Sequence, residues 1–123
     1  MYDKALVLEI LRQLHAATST ILQRFEPVQS TDDFTSSPSG MEKLDSICML
    51  LIAIGEGLKN LDKITGGTLL SQYHQVDWKK AKGLRDVISH RYFDVDAEEI
   101  FHICSTRITS MQKALQQIID DAK

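Results

Sequence analysis

An all-α fold, an antiparallel up-and-down bundle of four helices, is what this sequence predicts, and three observations carry it. Apolar residues return at intervals of three and four in four separate segments. No segment sustains the two-residue alternation of a strand, and the connections are short and rich in turn residues. The 123 residues, 43% apolar with 2 prolines, suffice for one core and are too few to divide, so a single helical domain over 1–123 is expected.

In the first segment, Lys4 to Glu26, the stripe runs Val7, Leu11, Leu14, Ile21 and Phe25, widened by Leu6, Ile10 and Leu22. Asp3 is the expected N-cap, and Pro27 ends the helix because it disfavours helical geometry in the residue before it. Val28 to Gly40 is dense in Ser, Thr, Asp and Pro. It reads as a connection with one short helical turn, its Phe34 tucked onto the bundle. The second helix, about Met41 to Lys63, has its seam at Leu44, Ile47, Leu51, Ile54, Leu58 and Leu61. Gly55 and Gly57 interrupt it at about 1 kcal/mol each relative to alanine, a cost expected to be offset by close approach of a neighbouring helix. Gly66-Gly67 stops it, and Thr68 to Val76 reads as a loop or short turn. Asp77 caps a third, shorter helix, Trp78 to about Tyr92, with Ala81, Leu84, Val87 and Ile88 inward. Asp96 and Glu99 form a capping-box-like start for a fourth helix. Its stripe is Ile100, Ile103, Ile108, Met111, Leu115 and Ile118. Because the third helix is too short to cover its neighbours, it leaves a groove or apolar flank, and a homodimer is expected to cover it.

Composition removes several function classes. The longest apolar run, Cys48 to Ile54, is far below the roughly 20 residues of a membrane-spanning helix. The opening Met1-Tyr2-Asp3-Lys4 has neither the basic segment nor the apolar run of a leader, so a cytoplasmic location is expected. Cys48 and Cys104 are too distant in sequence for a Cys-x-x-Cys pair and sit beside core positions, as two small buried thiols in a reducing compartment would. The chain contains no P-loop, His-Glu-x-x-His, nucleophile elbow or clustered carboxylates suited to two metals. His15, His74 and His102 stand alone as surface or satisfied core histidines. A net charge of −3 argues against coating of nucleic acid by the whole surface. From His74 to Tyr92, however, Lys79, Lys80, Lys82, Arg85 and Arg91 face only Asp77 and Asp86, a local +3 that leaves −6 for the rest. This is the one basic patch of the chain and the candidate RNA-binding surface.

The patch contains Arg85, His90 and Tyr92. At 100° per residue, Arg85 and Tyr92 fall within about 20° of each other on the helix, whereas His90 is turned about 140° from Arg85 and lies one turn beyond Asp86. Arginine and histidine therefore meet only if the helix distorts, if Arg85 bends round, or if two copies of the helix complete a site jointly, the arrangement favoured here. The residue types suit cleavage of RNA without metal or cofactor. When a 2′-hydroxyl attacks the adjacent phosphate, a group of near-neutral pKa must move protons and a cation must stabilise the developing charge. His90 would do the first and Arg85 the second, with Asp86 orienting His90 and Tyr92 holding phosphate. The competing reading is an ordinary exposed network of Arg, Asp and His.

Arg85-Asp86-x-x-x-His90-x-Tyr92, followed by Phe93-Asp94-Val95-Asp96, resembles the signature of the HEPN superfamily, specifically the HepT-like toxins paired with minimal nucleotidyltransferases. Ile54-Gly55-Glu56-Gly57 resembles that family's Gly-Glu stretch, and Trp78 stands where the family commonly has a tryptophan. The resemblance implies a dimer whose motifs face each other, acting as the metal-independent ribonuclease toxin of a toxin-antitoxin pair. It implies that Arg85 and His90 are catalytic and that Tyr92 is the residue the partner nucleotidyltransferase inactivates by AMP modification. Asp86 departs from the asparagine frequent in the family and adds negative charge near the phosphate site. The alternative is a non-catalytic module that binds RNA, nucleotide or the nucleotidyltransferase.

Overall fold

A computed structural model describes residues 2–90 and 94–123, excepting the side chains of Val87, Ser89 and His90. The described residues contain helices and no strands. α1 spans Lys4–Phe25, α2 Asp32–Thr35, α3 Pro38–Thr65, α4 Trp78–His90, α5 Ala97–Thr106 and α6 Ile108–Ala122, with a 3-10 turn at Leu70–Gln72. α1 packs between α3 and α6, and α4 lies on α3 at the edge of the bundle. None of these helices is long and apolar enough to cross a membrane.

Each boundary has a local cause. Asp3 accepts a hydrogen bond from the Leu6 N–H at 3.2 Å and so caps α1. α3 begins earlier than the apolar stripe alone suggests. Ser37 caps it by accepting from the Gly40 N–H at 3.0 Å, and Pro38 occupies the first turn, where its missing N–H costs nothing. Gly66, at φ 65°, ends α3 in the left-handed conformation that glycine adopts without strain. The short α2 delivers Phe34, fully buried, against Phe25 and Phe101 at centroid distances of 6.1 and 6.5 Å.

The predicted fourth helix is present as two pieces. Arg107, with φ −108° and ψ −33°, ends α5 and starts α6. The hydroxyls of Thr106 and Ser105 both donate to the His102 carbonyl, at 2.7 and 3.2 Å, the side-chain back-bonding that bends helices. The stripe survives the break, with Ile100, Ile103, Ile108, Met111, Leu115 and Ile118 all buried. Leu6, expected to widen the stripe of α1, is instead 40% exposed. Cys48 and Cys104 are buried free thiols, and burial pushes them up to about 11 and about 12 respectively.

Candidate functional site

α4 owes its place to both ends of the preceding loop. Asp77 accepts from the Lys80 N–H at 3.1 Å and caps the helix, while the Trp78 indole donates to the Tyr73 carbonyl at 2.7 Å. Tyr73 in turn donates its hydroxyl to Asp121 at 2.7 Å, and Gln75 bonds Gln117 at 3.0 Å, so the loop is tied to α6. Among the described side chains of α4, Trp78, Ala81, Leu84 and Ile88 are buried. Close approach to α3 depends on Gly55: a Cβ there would stand 3.0 Å from Arg85 Cβ and 3.3 Å from the Lys82 carbonyl oxygen. Gly57 makes room on another side, for Leu14 of α1. The two mid-helix glycines thus mark contacts with two neighbouring helices.

This approach brings Arg85 over a polar row of α3. Its Nε forms an ion pair with Glu56 Oε1 at 2.6 Å, and its Nη1 donates to Asp86 Oδ1 at 2.9 Å. Lys59 reaches across from α3 to Asp86 Oδ2 at 3.4 Å, and one turn nearer the N-terminus of α4, Lys82 pairs with Asp62. The hydrogen bond from Arg85, reinforced by the charge of Lys59, holds the Asp86 carboxyl below the usual carboxylate range. The same bond, together with Glu56, pushes the Arg85 guanidinium up, so the arginine is a permanent cation. The side chains of Arg85, Glu56, Lys59 and Asp86 are 41–53% exposed, so the cluster is open to a ligand.

The residues expected from sequence fall into three groups. Arg85 and Asp86 are in direct contact. His90 is the last residue of α4, its side chain outside the described ones, and Arg91 and Tyr92 also lie outside the described residues. Of the expected RNA-binding lysines, Lys79 and Lys80 are exposed and form no ion pair among the described residues, whereas Lys82 is engaged by Asp62. Glu56, Lys59 and Asp62 did not emerge as site residues from sequence. Their spacing of three places one polar row along α3, a periodic signal that only the partner helix makes meaningful.

Two concavities flank α4. One, about 270 Å³, lies between α4 and the α5–α6 junction, with Lys80 and Arg107 among its walls. The other, about 480 Å³, is mainly apolar, formed by Met41, Leu44, Cys48, Met49, Ile52, Ile88 and Val95 with Asp45. It is the flank that the short third predicted helix was expected to leave uncovered.

An α-helical bundle with an arginine and a histidine on its edge helix is the architecture of the HEPN class. Within that class the chain belongs to the family described as "Ribonuclease HepT-like", which it matches over residues 8–118. It is similar to "Putative RNase MJ0127" of Methanocaldococcus jannaschii, 35% identical over 71 residues, 58% of this chain and 55% of that protein. It is also similar to "Putative RNase TTE0752" of Caldanaerobacter subterraneus subsp. tengcongensis, 31% identical over 70 residues, 57% of this chain and 59% of that one. The chain thus spans a little over half the length of these curated relatives. No solved structure matches it significantly.

Proposed function

We propose that this protein is a metal-independent endoribonuclease, the toxin of a HEPN and minimal nucleotidyltransferase pair, working as a homodimer. The observation that carries the reading is that the family match over residues 8–118 encloses Arg85-x-x-x-x-His90-x-Tyr92, with Arg85 and His90 on the edge helix α4. In the reaction the RNA 2′-oxygen attacks the neighbouring phosphorus and the 5′-oxygen leaves, giving a cyclic phosphate and a 5′-hydroxyl end. His90 moves the proton between these oxygens, and Arg85 stabilises the charge gathering on the phosphate. The geometry supports the second role. The Arg85 side chain is 42% exposed and presents five N–H donors in a planar fork, so it can still be reached by a phosphate oxygen.

Purified protein incubated with RNA in the presence of a chelator tests the reading. Cleavage that falls by about 100-fold or more in both His90→Ala and Arg85→Ala is expected, and intact RNA with the wild type overturns it. The partner is tested separately. After coexpression with a minimal nucleotidyltransferase and ATP, the peptide carrying Tyr92 should gain the mass of AMP and the protein should lose its ribonuclease activity.

One observation favours a second reading, a non-catalytic module that binds RNA or the nucleotidyltransferase: Arg85 is already flanked by the carboxylates of Glu56 and Asp86. Such a module forms its partner complex without RNA and cleaves nothing. Several phosphate contacts, by contrast, make RNA affinity fall steeply with salt.

A further inference from the structure

We propose that Lys59 of α3 is a positioning residue of the site, holding and neutralising the Asp86 carboxylate so that the charge of the Arg85 guanidinium is not outweighed where an RNA phosphate approaches. The phosphate half of this statement rests on the ribonuclease reading above; the pairing half concerns the protein alone.

The argument is one of charge and reach. Among the described residues, Glu56, Lys59, Arg85 and Asp86 form one connected cluster in which two cations balance two carboxylates. Without Lys59 a single guanidinium stands between two carboxylates among these described groups, and the point where a phosphate must approach is one charge more negative. Both carboxylates then compete with that phosphate for Arg85, and their field repels it. Lys59 prevents this from a position that costs the site no surface. Its Nζ meets Oδ2 of Asp86, while Arg85 takes Oδ1, so the two cations share one carboxylate from opposite helices. The nearby Lys82 does not do this work, because it is bound to Asp62. Gly55 sets the reach: without a Cβ there, α4 lies close enough to α3 for a lysine one turn on to span the gap.

A double-mutant cycle distinguishes neutralisation of Asp86 from direct contact with RNA. Lys59→Met should raise KM for a short RNA about fivefold, the scale of a half-exposed ion pair, and change kcat less than about twofold. In an Asp86→Asn background the same substitution should leave KM within about 1.5-fold, since no charge remains to neutralise. Lys59→Arg should keep the wild-type KM. Equal losses in both backgrounds, or no loss in either, overturn the proposal. Titration of the Asp86 carboxyl by NMR needs no RNA: Lys59→Met should move it to higher pH, and an unmoved titration overturns the pairing. If the wild type cleaves no RNA while this titration moves, the ribonuclease reading fails and the pairing stands.

Discussion

Gly55 and Arg85 meet across the α3–α4 interface so closely that a methyl group on the glycine would stand 3.0 Å from the arginine Cβ and 3.4 Å from its backbone nitrogen. These are positions that cannot yield by rotating a side chain, so α4 itself must move. Gly55→Ala gains about 1 kcal/mol of helix propensity and loses about 1–3 kcal/mol to overpacking. The expected net is a destabilisation of about 1 kcal/mol, with a larger proportional loss of RNA cleavage because Arg85 is carried off its partners. Gly83 is the control. It lies inside α4 with nothing within 4 Å of a built Cβ, so Gly83→Ala should stabilise by about 0.5–1 kcal/mol. Urea unfolding of the two variants checks both signs.

The pH dependence of cleavage separates Asp86 from His90. Because Asp86 has a folded pKa below its unfolded value, its contribution to stability is present above about pH 4, the unfolded carboxylate range, and is lost as pH falls through the lower folded value. It is therefore ionised throughout the neutral range and adds no limb to the profile there. A change of rate with pH between about 5 and 8 then belongs to a group of histidine type, His90 on the reading proposed here. Measured kcat/KM against pH should lose that limb in His90→Ala and keep it in Asp86→Asn.

How far the sequence foretold this arrangement depends on whether the cause was local. The caps at Asp3 and Asp77, the stop at Gly66, the buried Phe34 and the seam from Leu44 to Leu61 all follow from short-range chemistry, and all are present. The break at Arg107 has a local cause too, in two hydroxyls returning to one carbonyl. It was missed because the apolar stripe runs through it: Cys104 fills the interval between Ile103 and Ile108. At the site, Arg85 and Asp86 were identifiable because they share one helix. Glu56 and Lys59 belong to the other side of a packing contact, and a chain read in order does not show which row of α3 will face α4.

The two thiols give an alkaline prediction. Burial raises Cys48 to about 11 and Cys104 to about 12, so the folded state holds both neutral while unfolded thiols ionise near 8.5. Stability from this source is complete below that unfolded value and declines as pH rises above it. Chemical unfolding should therefore show a falling midpoint between about pH 8.5 and 10 that flattens in a Cys48→Ala, Cys104→Ala double variant. At pH 7.5 the native protein should resist a thiol-specific reagent and react at both cysteines once unfolded.

The proposed homodimer is best tested at Met49. α3, 28 residues and roughly 42 Å long, is packed against a 13-residue α4 of roughly 20 Å, so much of one α3 face has no α4 to cover it. There Met49 is 66% and Met41 40% exposed beside Leu44, Ile52 and Val95, at the same end as Ile88, near the last turn of α4. A second copy seated on this face would bring two motifs near one another, which suits a site that one straight helix does not assemble alone. Met49→Glu puts a carboxylate on that face one turn from Asp45, with no partner to hydrogen-bond it. Light scattering should report twice the chain mass for the wild type and a single chain for Met49→Glu. The variant's unfolding midpoint, extrapolated to low protein concentration, should match the wild type, because Met49 contributes little to the monomer core. If the site is shared between subunits, RNA cleavage falls with the dimer although Arg85 and His90 are untouched. A dimeric Met49→Glu, or a monomeric variant as active as the wild type, would remove this face from the mechanism.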